Sequence, residues 1–340
     1  MNATPWAQQR LDLEQANRYT RGHDVLVAVV DTGVSPQAYG LAGRVRATGA
    51  AARDCVGHGT FLAGLIAASA MPESGFAGVA PEARVLAERG TDQWGRASAA
   101  QVAQGIESAV AAGARVVDVS AALPENTAQL QAAVDHAIAK DVLLVAPAAP
   151  DTQPGTTADQ PSDPPPARYW PASADGVLSV VDVDIDGSRP DGVPEPERAE
   201  LAAPGSGITG IGPSGTGNYV AGGASVAAAF VVGTAVLVRA RLPQLTAAQS
   251  AARLKATAAH ATVPLLDPAG ALSTVLPSGA AAPAPEEGAV HLPEAAPRSG
   301  VVGRAWALAG ACLMSGTLAG GAMALARARA VRRAAGRGPA

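Results

Sequence analysis

Aromatic side chains are scarce: Phe, Tyr and Trp make up 3% of the 340 residues, so large rings cannot fill the interior. Packing must instead bring Ala, Gly and Val close together. Cysteine is limited to two residues, Cys55 in RDCVGHGT and Cys312 in an apolar C-terminal segment. They cannot pair if one lies in a membrane, so the chain is not a disulfide framework. Cys312 reads as a small apolar helix residue. No CxxC or His/Cys cluster is present; no metal and no cofactor is expected. A surplus of positive charge is also lacking. The formal net charge is −4, which excludes a global field for nucleic acid. Lysine is nearly absent, and Arg supplies almost all the positive charge. That bias reads as codon usage rather than function.

The chain does hold one long uncharged run near its end. Residues 305–326, AWALAGACLMSGTLAGGAMALA, span 22 positions without a charge. About 20 apolar residues cross a bilayer as a helix. Arg304 precedes the run, and Arg327, Arg329, Arg332, Arg333 and Arg337 follow it. The positive-inside rule puts that tail in the cytoplasm and everything N-terminal outside. The competing reading is a buried helix of an Ala-rich soluble protein. An outside domain needs an export signal, and MNATPWAQQRLDLEQANRYTRG has no apolar core of that kind. The favoured expectation is a signal missing from this start.

The rest alternates strands and helices. HDVLVAVVD is an apolar, β-branched run that ends in Asp, as a buried parallel strand does. ARVLAER, ARVVDVSA, VLLVAPAA and VLSVVDVDIDG read as further strands. Residues 7–21 read as one amphipathic helix. GTFLAGLIAASA, ASAAQVAQGIESAVAAG, TAQLQAAVDHAIAKD, ASVAAAFVVGTAVLVRARLP and LTAAQSAARLKATA read as helices. This order predicts an α/β fold with a mostly parallel sheet covered by helices on both faces. Residues 150–171 are a Pro-rich surface loop. The expected organisation is a catalytic domain over 1–275, a Pro/Ala-rich linker over 276–303, a membrane helix over 304–326 and an Arg-rich cytoplasmic tail over 327–340.

Three short segments carry chemistry. VVDTGV places Asp31 at a strand end, GHGTFLAG places His58 at a helix start, and GGASVAAAFVVG places Ser225 at the start of a long helix. A serine hydroxyl is a poor nucleophile until an imidazole takes its proton. A carboxylate behind the imidazole fixes its tautomer and stabilises its cation. The Ser225 amide at a helix N-terminus suits a developing oxyanion. Each residue alone has a bland role as turn, structural or cap residue; their order on an α/β pattern makes them a candidate triad. DTG also occurs in aspartic proteases, but no second DTG or DSG is present. Lipases and esterases set Ser in G-x-S-x-G before Asp and His, and both the motif and the order fail here. His23, His136, His260 and His291 have no such setting.

VAVVDTGV, DCVGHGTFLAGLIAA, GVAPEARVLAERGTDQWG, AAPGSGITGIG and GGASVAAAFVVGTAVLVRARLPQLTAAQ resemble the subtilisin-like serine proteases. Within them the chain looks most like the mycosins, membrane-anchored subtilases associated with type VII secretion. The resemblance covers about residues 5–262. It implies a subtilisin-like three-layer fold, a catalytic triad Asp31, His58 and Ser225, a protein or peptide substrate bound along Ser120, Ala121 and Ala122, and a type VII secretion complex as partner. It also implies a single-pass membrane protein with its catalytic domain outside the cytoplasm. The pattern is incomplete. The family's Gly-Thr-Ser-x-Ala-Ala-Pro reads Gly223-Ala224-Ser225-Val226-Ala227-Ala228-Ala229, and its Ser-Leu-Gly-Gly reads Ser120-Ala121-Ala122-Leu123. The family's oxyanion Asn ends Ala-Ala-Gly-Asn; in VLLVAPAAP, Ala148, Ala149 and Pro150 offer no amide. Loss of one such donor costs about 10²–10³ in rate, a magnitude that comes from a subtilisin itself. Asn126 and Asn218 are the replacement donors to consider. Cys55 matches a mycosin cysteine without a partner. Two functions follow: an endopeptidase of reduced activity, or a pseudo-protease that serves as a scaffold or peptide-binding subunit.

Overall fold

Apolar β-branched runs build the sheet, because strands covered on both faces can carry no polar alternation. A computed structural model describes residues 4–71, 74–151 and 168–276, and Arg327. In chain order the elements are α1 (Trp6–Arg10), α2 (Leu13–Tyr19), β1 (Leu26–Asp31), β2 (Val45–Arg46), a 3-10 turn (Gly49–Ala52), α3 (His58–Ala67), β3 (Arg84–Arg89), α4 (Ala99–Ala111), β4 (Val116–Val119), α5 (Ala128–Ala139), β5 (Leu143–Pro147), β6 (Leu178–Val183), β7 (Leu201–Pro204), β8 (Ile208–Ile211), β9 (Asn218–Ala221), α6 (Ala224–Arg241), α7 (Ala247–Thr257) and α8 (Pro268–Ser273).

Seven strands form one parallel sheet in the order β2-β3-β1-β4-β5-β6-β7, and β8 pairs antiparallel with β9. Side chains alternate between two cores. Val27 and Val29 pack with α3 and α6, while Ala28 and Val30 pack with α4 and α5. This is the expected three-layer α/β architecture. From β1 the chain moves outward to β2 and β3, then returns to set β4 on the other side of β1. Open parallel sheets bind ligands at the carboxyl ends of the strands where the order reverses in this way. Asp31 and Ser120 stand at that reversal.

Every residue of α6 from Ala224 to Arg239 is buried. The helix is apolar all round because β4 to β7 cover one side and α3, α7 and α8 cover others. Among the described residues it is the helix long and apolar enough to cross a membrane, yet 89% of the qualifying window is buried in the core. The expected membrane segment over 304–326 lies outside the described residues, as does the linker over 276–303 beyond residue 276. Of the tail over 327–340, only Arg327 is described, as helical. The chain divides into two units, Met1–Ala282 and Pro283–Ala340.

Two elements differ from expectation. The helix read over 7–21 is two helices, because Asp12 adopts a left-handed φ of 45° and caps α2 through Gln15 N. The strand read over 177–187 stops at Val183, where the Asp184 carboxylate accepts from Asp186 N and Ser188 N and turns the chain. Strands β2 and β7, the β8–β9 hairpin and α8 escaped the sequence reading, being too short to show a period.

Candidate active site

Asp31 ends β1 on the face shared with Val29, so its buried side chain points toward α3. Helix α3 starts at His58, after Gly57 turns the chain with φ 92°. Asp54 clamps this turn to the end of β1. Its Oδ1 accepts from Gly57 N (2.7 Å) and Thr32 Oγ1 (2.8 Å), and its Oδ2 accepts from Thr60 N (2.8 Å) and Thr60 Oγ1 (2.7 Å). Thr32 Oγ1 accepts in turn from Gly59 N. Gly59 is required for the close approach: a Cβ there would lie 2.2 Å from the Gly33 carbonyl oxygen. The clamp leaves His58 Nδ1 2.6 Å from Asp31 Oδ2. From the far side α6 presents Ser225, with Oγ 3.1 Å from His58 Nε2. Asp31, His58 and Ser225 thus meet in one hydrogen-bonded row.

A fourth side chain enters from the segment that follows β5. The Asp151 carboxylate accepts from Ser225 N through Oδ1 (2.9 Å) and from Ser225 Oγ through Oδ2 (2.5 Å). Its Oδ2 is also 3.5 Å from His58 Nε2. Sequence reading stopped one residue short of it. Asp151 follows directly on Ala148, Ala149 and Pro150, so an acid stands beside the nucleophile where these three offer no amide. Asn126 and Asn218 are corrected as replacement donors. The Asn126 amide donates to Gln131 Oε1 at the exposed entry to α5, and Asn218 opens an exposed hairpin strand.

The charges follow from this layout. Burial works against the Asp31 carboxylate, but His58, with the Ser120 hydroxyl and Thr32 N–H, holds it below its usual range. Burial likewise disfavours a charged His58, yet Asp31 and then Asp151 push it well above the ordinary imidazole value. Asp118 on β4 is fully buried with neither carboxylate oxygen hydrogen-bonded. Burial, reinforced by Asp31, pushes its carboxyl well above the usual range despite His58. Among the described residues, no three His, Cys, Asp or Glu side chains are grouped to hold a metal ion.

Ser120 follows β4, with its hydroxyl oxygen 3.2 Å from Val30 O. Leu123 is tied to Trp170 by a pair of backbone bonds (2.8 Å each); among the described residues, Ala121 and Ala122 have no backbone partner. His136 pairs with Glu107 on the surface, His23 lies beside Asp24, His260 is exposed, and His291 lies outside the described residues. Cys55 is free and exposed; Cys312 lies outside the described residues.

Comparison with known proteins agrees with this architecture. The subtilase family model matches residues 22–282. Mycosin-1 of Mycolicibacterium smegmatis is 30% identical over 335 residues, covering 81% of this chain and 74% of the relative. A thermostable alkaline protease of Halalkalibacterium halodurans is 33% identical over 273 residues, covering 77% and 70%. Among solved structures, the serine protease MycP1, an essential component of the type VII (ESX-1) secretion system, is 29% identical with a TM-score of 0.69, covering 80% of this chain and 89% of that one. A chain of the periplasmic assembly from the ESX-5 inner membrane complex is 27% identical with a TM-score of 0.70, covering 84% and 87%.

Proposed function

The chain belongs to the subtilase family, and from that membership we propose that it is a membrane-anchored serine endopeptidase of reduced activity that works beside a type VII secretion complex. The row Asp31–His58–Ser225, at 2.6 and 3.1 Å, carries the reading. In this reading Ser225 Oγ attacks a peptide carbonyl, His58 takes the proton, and Asp31 holds the imidazolium. The Ser225 N–H is one oxyanion donor. The peptide backbone lies along Ser120, Ala121 and Ala122, whose unpaired edge suits an added strand. The catalytic unit spans 1–275 and faces outward on the linker over 276–303. The helix over 304–326 anchors it, and the Arg-rich tail over 327–340 lies in the cytoplasm. The secretion role rests on similarity to MycP1 and to the ESX-5 assembly. A fluorophosphonate probe should label the wild-type chain and not Ser225→Ala; equal labelling of both would sink the protease reading.

A pseudo-protease scaffold is the second reading, favoured by one observation: Asp151 covers Ser225, which is 0% exposed. In cells, a scaffold predicts that Ser225→Ala complements a deletion fully, whereas an endopeptidase predicts that it does not.

A further inference from the structure

Catalysis by a serine–histidine pair needs a particular direction of hydrogen bonding. The Ser225 O–H must donate to His58 Nε2, and two donors must wait empty for the carbonyl oxygen. Neither condition holds here. The Ser225 hydroxyl donates to Asp151 Oδ2 (2.5 Å), and the Ser225 amide donates to Asp151 Oδ1 (2.9 Å). An ionised carboxylate only accepts hydrogen bonds. It therefore sits where the oxyanion would form and offers that oxyanion repulsion instead of a donor. The row then runs from His58 N–H to Ser225 Oγ and from Ser225 O–H to Asp151, the reverse of the catalytic direction. The site is shaped for this carboxylate. Gly223, at φ 135°, leaves the room it fills, since a Cβ there would lie 2.0 Å from Asp151 Oδ1. The N-terminus of the 18-residue α6 favours negative charge at this point.

Resting on the serine-protease reading above, we infer that Asp151 is a proton-operated gate of the oxyanion site: its carboxylate closes the site, and its protonated form opens it and supplies the second donor. Opening needs no proton from solvent. The proton on His58 Nε2 passes to Ser225 Oγ as the Ser225 proton passes to Asp151 Oδ2. The net result is a neutral His58, a serine hydroxyl free to turn toward it, and an Asp151 O–H donor. Ser225 Oγ then attacks and its proton returns to His58, while the new oxyanion accepts from Ser225 N–H and Asp151 O–H. Both the closed and the open form hold one proton on the His58–Asp151 pair, so the two are tautomers of one state. The other groups around the pair are Asp31 on β1, Asp118 on β4, and Asp182 on β6 with Arg189 against it.

The test measures the second-order rate constant for fluorophosphonate labelling of Ser225 from pH 5 to 10. It uses full chains of wild type, Asp151→Asn and Asp151→Ala, each checked for a cooperative melting transition. A phosphonate makes the same demand for oxyanion donors without requiring a known substrate. Wild type should be slow and bell-shaped: acid protonates both groups, and alkali removes the proton that Asp151 needs. Asp151→Asn should rise as His58 deprotonates and stay on a plateau to alkaline pH, exceeding wild type by about 10²-fold or more at pH 9. Asp151→Ala, which clears the site but supplies no donor, should fall between the two. An Asp151→Asn rate no faster than wild type at any pH, or a wild type with an alkaline plateau, would overturn the gate and leave the protease reading standing. Folded chains that never label at Ser225 would overturn both.

Discussion

Asp118 is the residue with the least support in the core: fully buried, with both carboxyl oxygens unpartnered. Burial pushes its folded pKa well above the unfolded value. An unfolded carboxyl releases its proton near pH 4, while the folded one keeps it. The unfolded state then binds fewer protons, so this group's contribution falls as pH rises from about 4 toward its folded pKa. Asp118→Val should stabilise the protein at pH 8 by about 1–3 kcal/mol. Each kcal/mol is roughly 2–4 °C in Tm for a domain of this size. The gain over wild type should shrink at pH 4; an equal gain at both pH values in calorimetry would mean that Asp118 holds no trapped proton. At this scale the sequence was uneven to read. Asp31, His58 and Ser225 stand in motifs whose glycines and apolar neighbours mark them. Asp151 follows Pro150 at the head of a polar loop, where nothing local separates it from a turn residue. The clamp by Asp54 was invisible too, since it depends on the start of α3 meeting the end of β1.

Between elements, the decisive contact is that of α3 with the end of β1. The Gly59 position leaves no room for a methyl group against the Gly33 carbonyl and Asp31 Cβ. Gly59→Ala must lift the first turn of α3 and carry His58 with it. A displacement of about 1 Å at a reacting group costs about 10² in rate. Fluorophosphonate labelling of Gly59→Ala should slow by that order; an unchanged rate would show that the turn adjusts without moving His58. Element types were legible wherever a strand ran apolar into Asp or a helix kept its period. The break at Asp12 was not, because a left-handed residue leaves only a weak mark in a polar helix. Composition alone could not separate α6 from a membrane span, as both are apolar on every side. Packing separates them, since α6 lies within the core.

At the scale of the molecule, Met1–Ala282 forms one unit and the apolar run over 305–326 falls in the other. A chain ending at residue 282 should stay in the soluble fraction with the melting transition of the full protein, while the full chain sediments with membranes and resists alkaline extraction. A truncated chain that still sediments, or a full chain that stays soluble, would refute the anchor. The sequence by itself determined the α/β layering, the parallel sheet and the positions of Asp31, His58 and Ser225, because periodicity and turn glycines are local properties. Only the tertiary structure decided what state the site rests in. Ser225 and Asp151 are 74 positions apart, and their hydrogen bonds exist only because β5 ends and α6 begins at the same rim of the sheet. What reads along the chain as a triad lacking one amide is, in three dimensions, a triad with a carboxylate seated on its nucleophile.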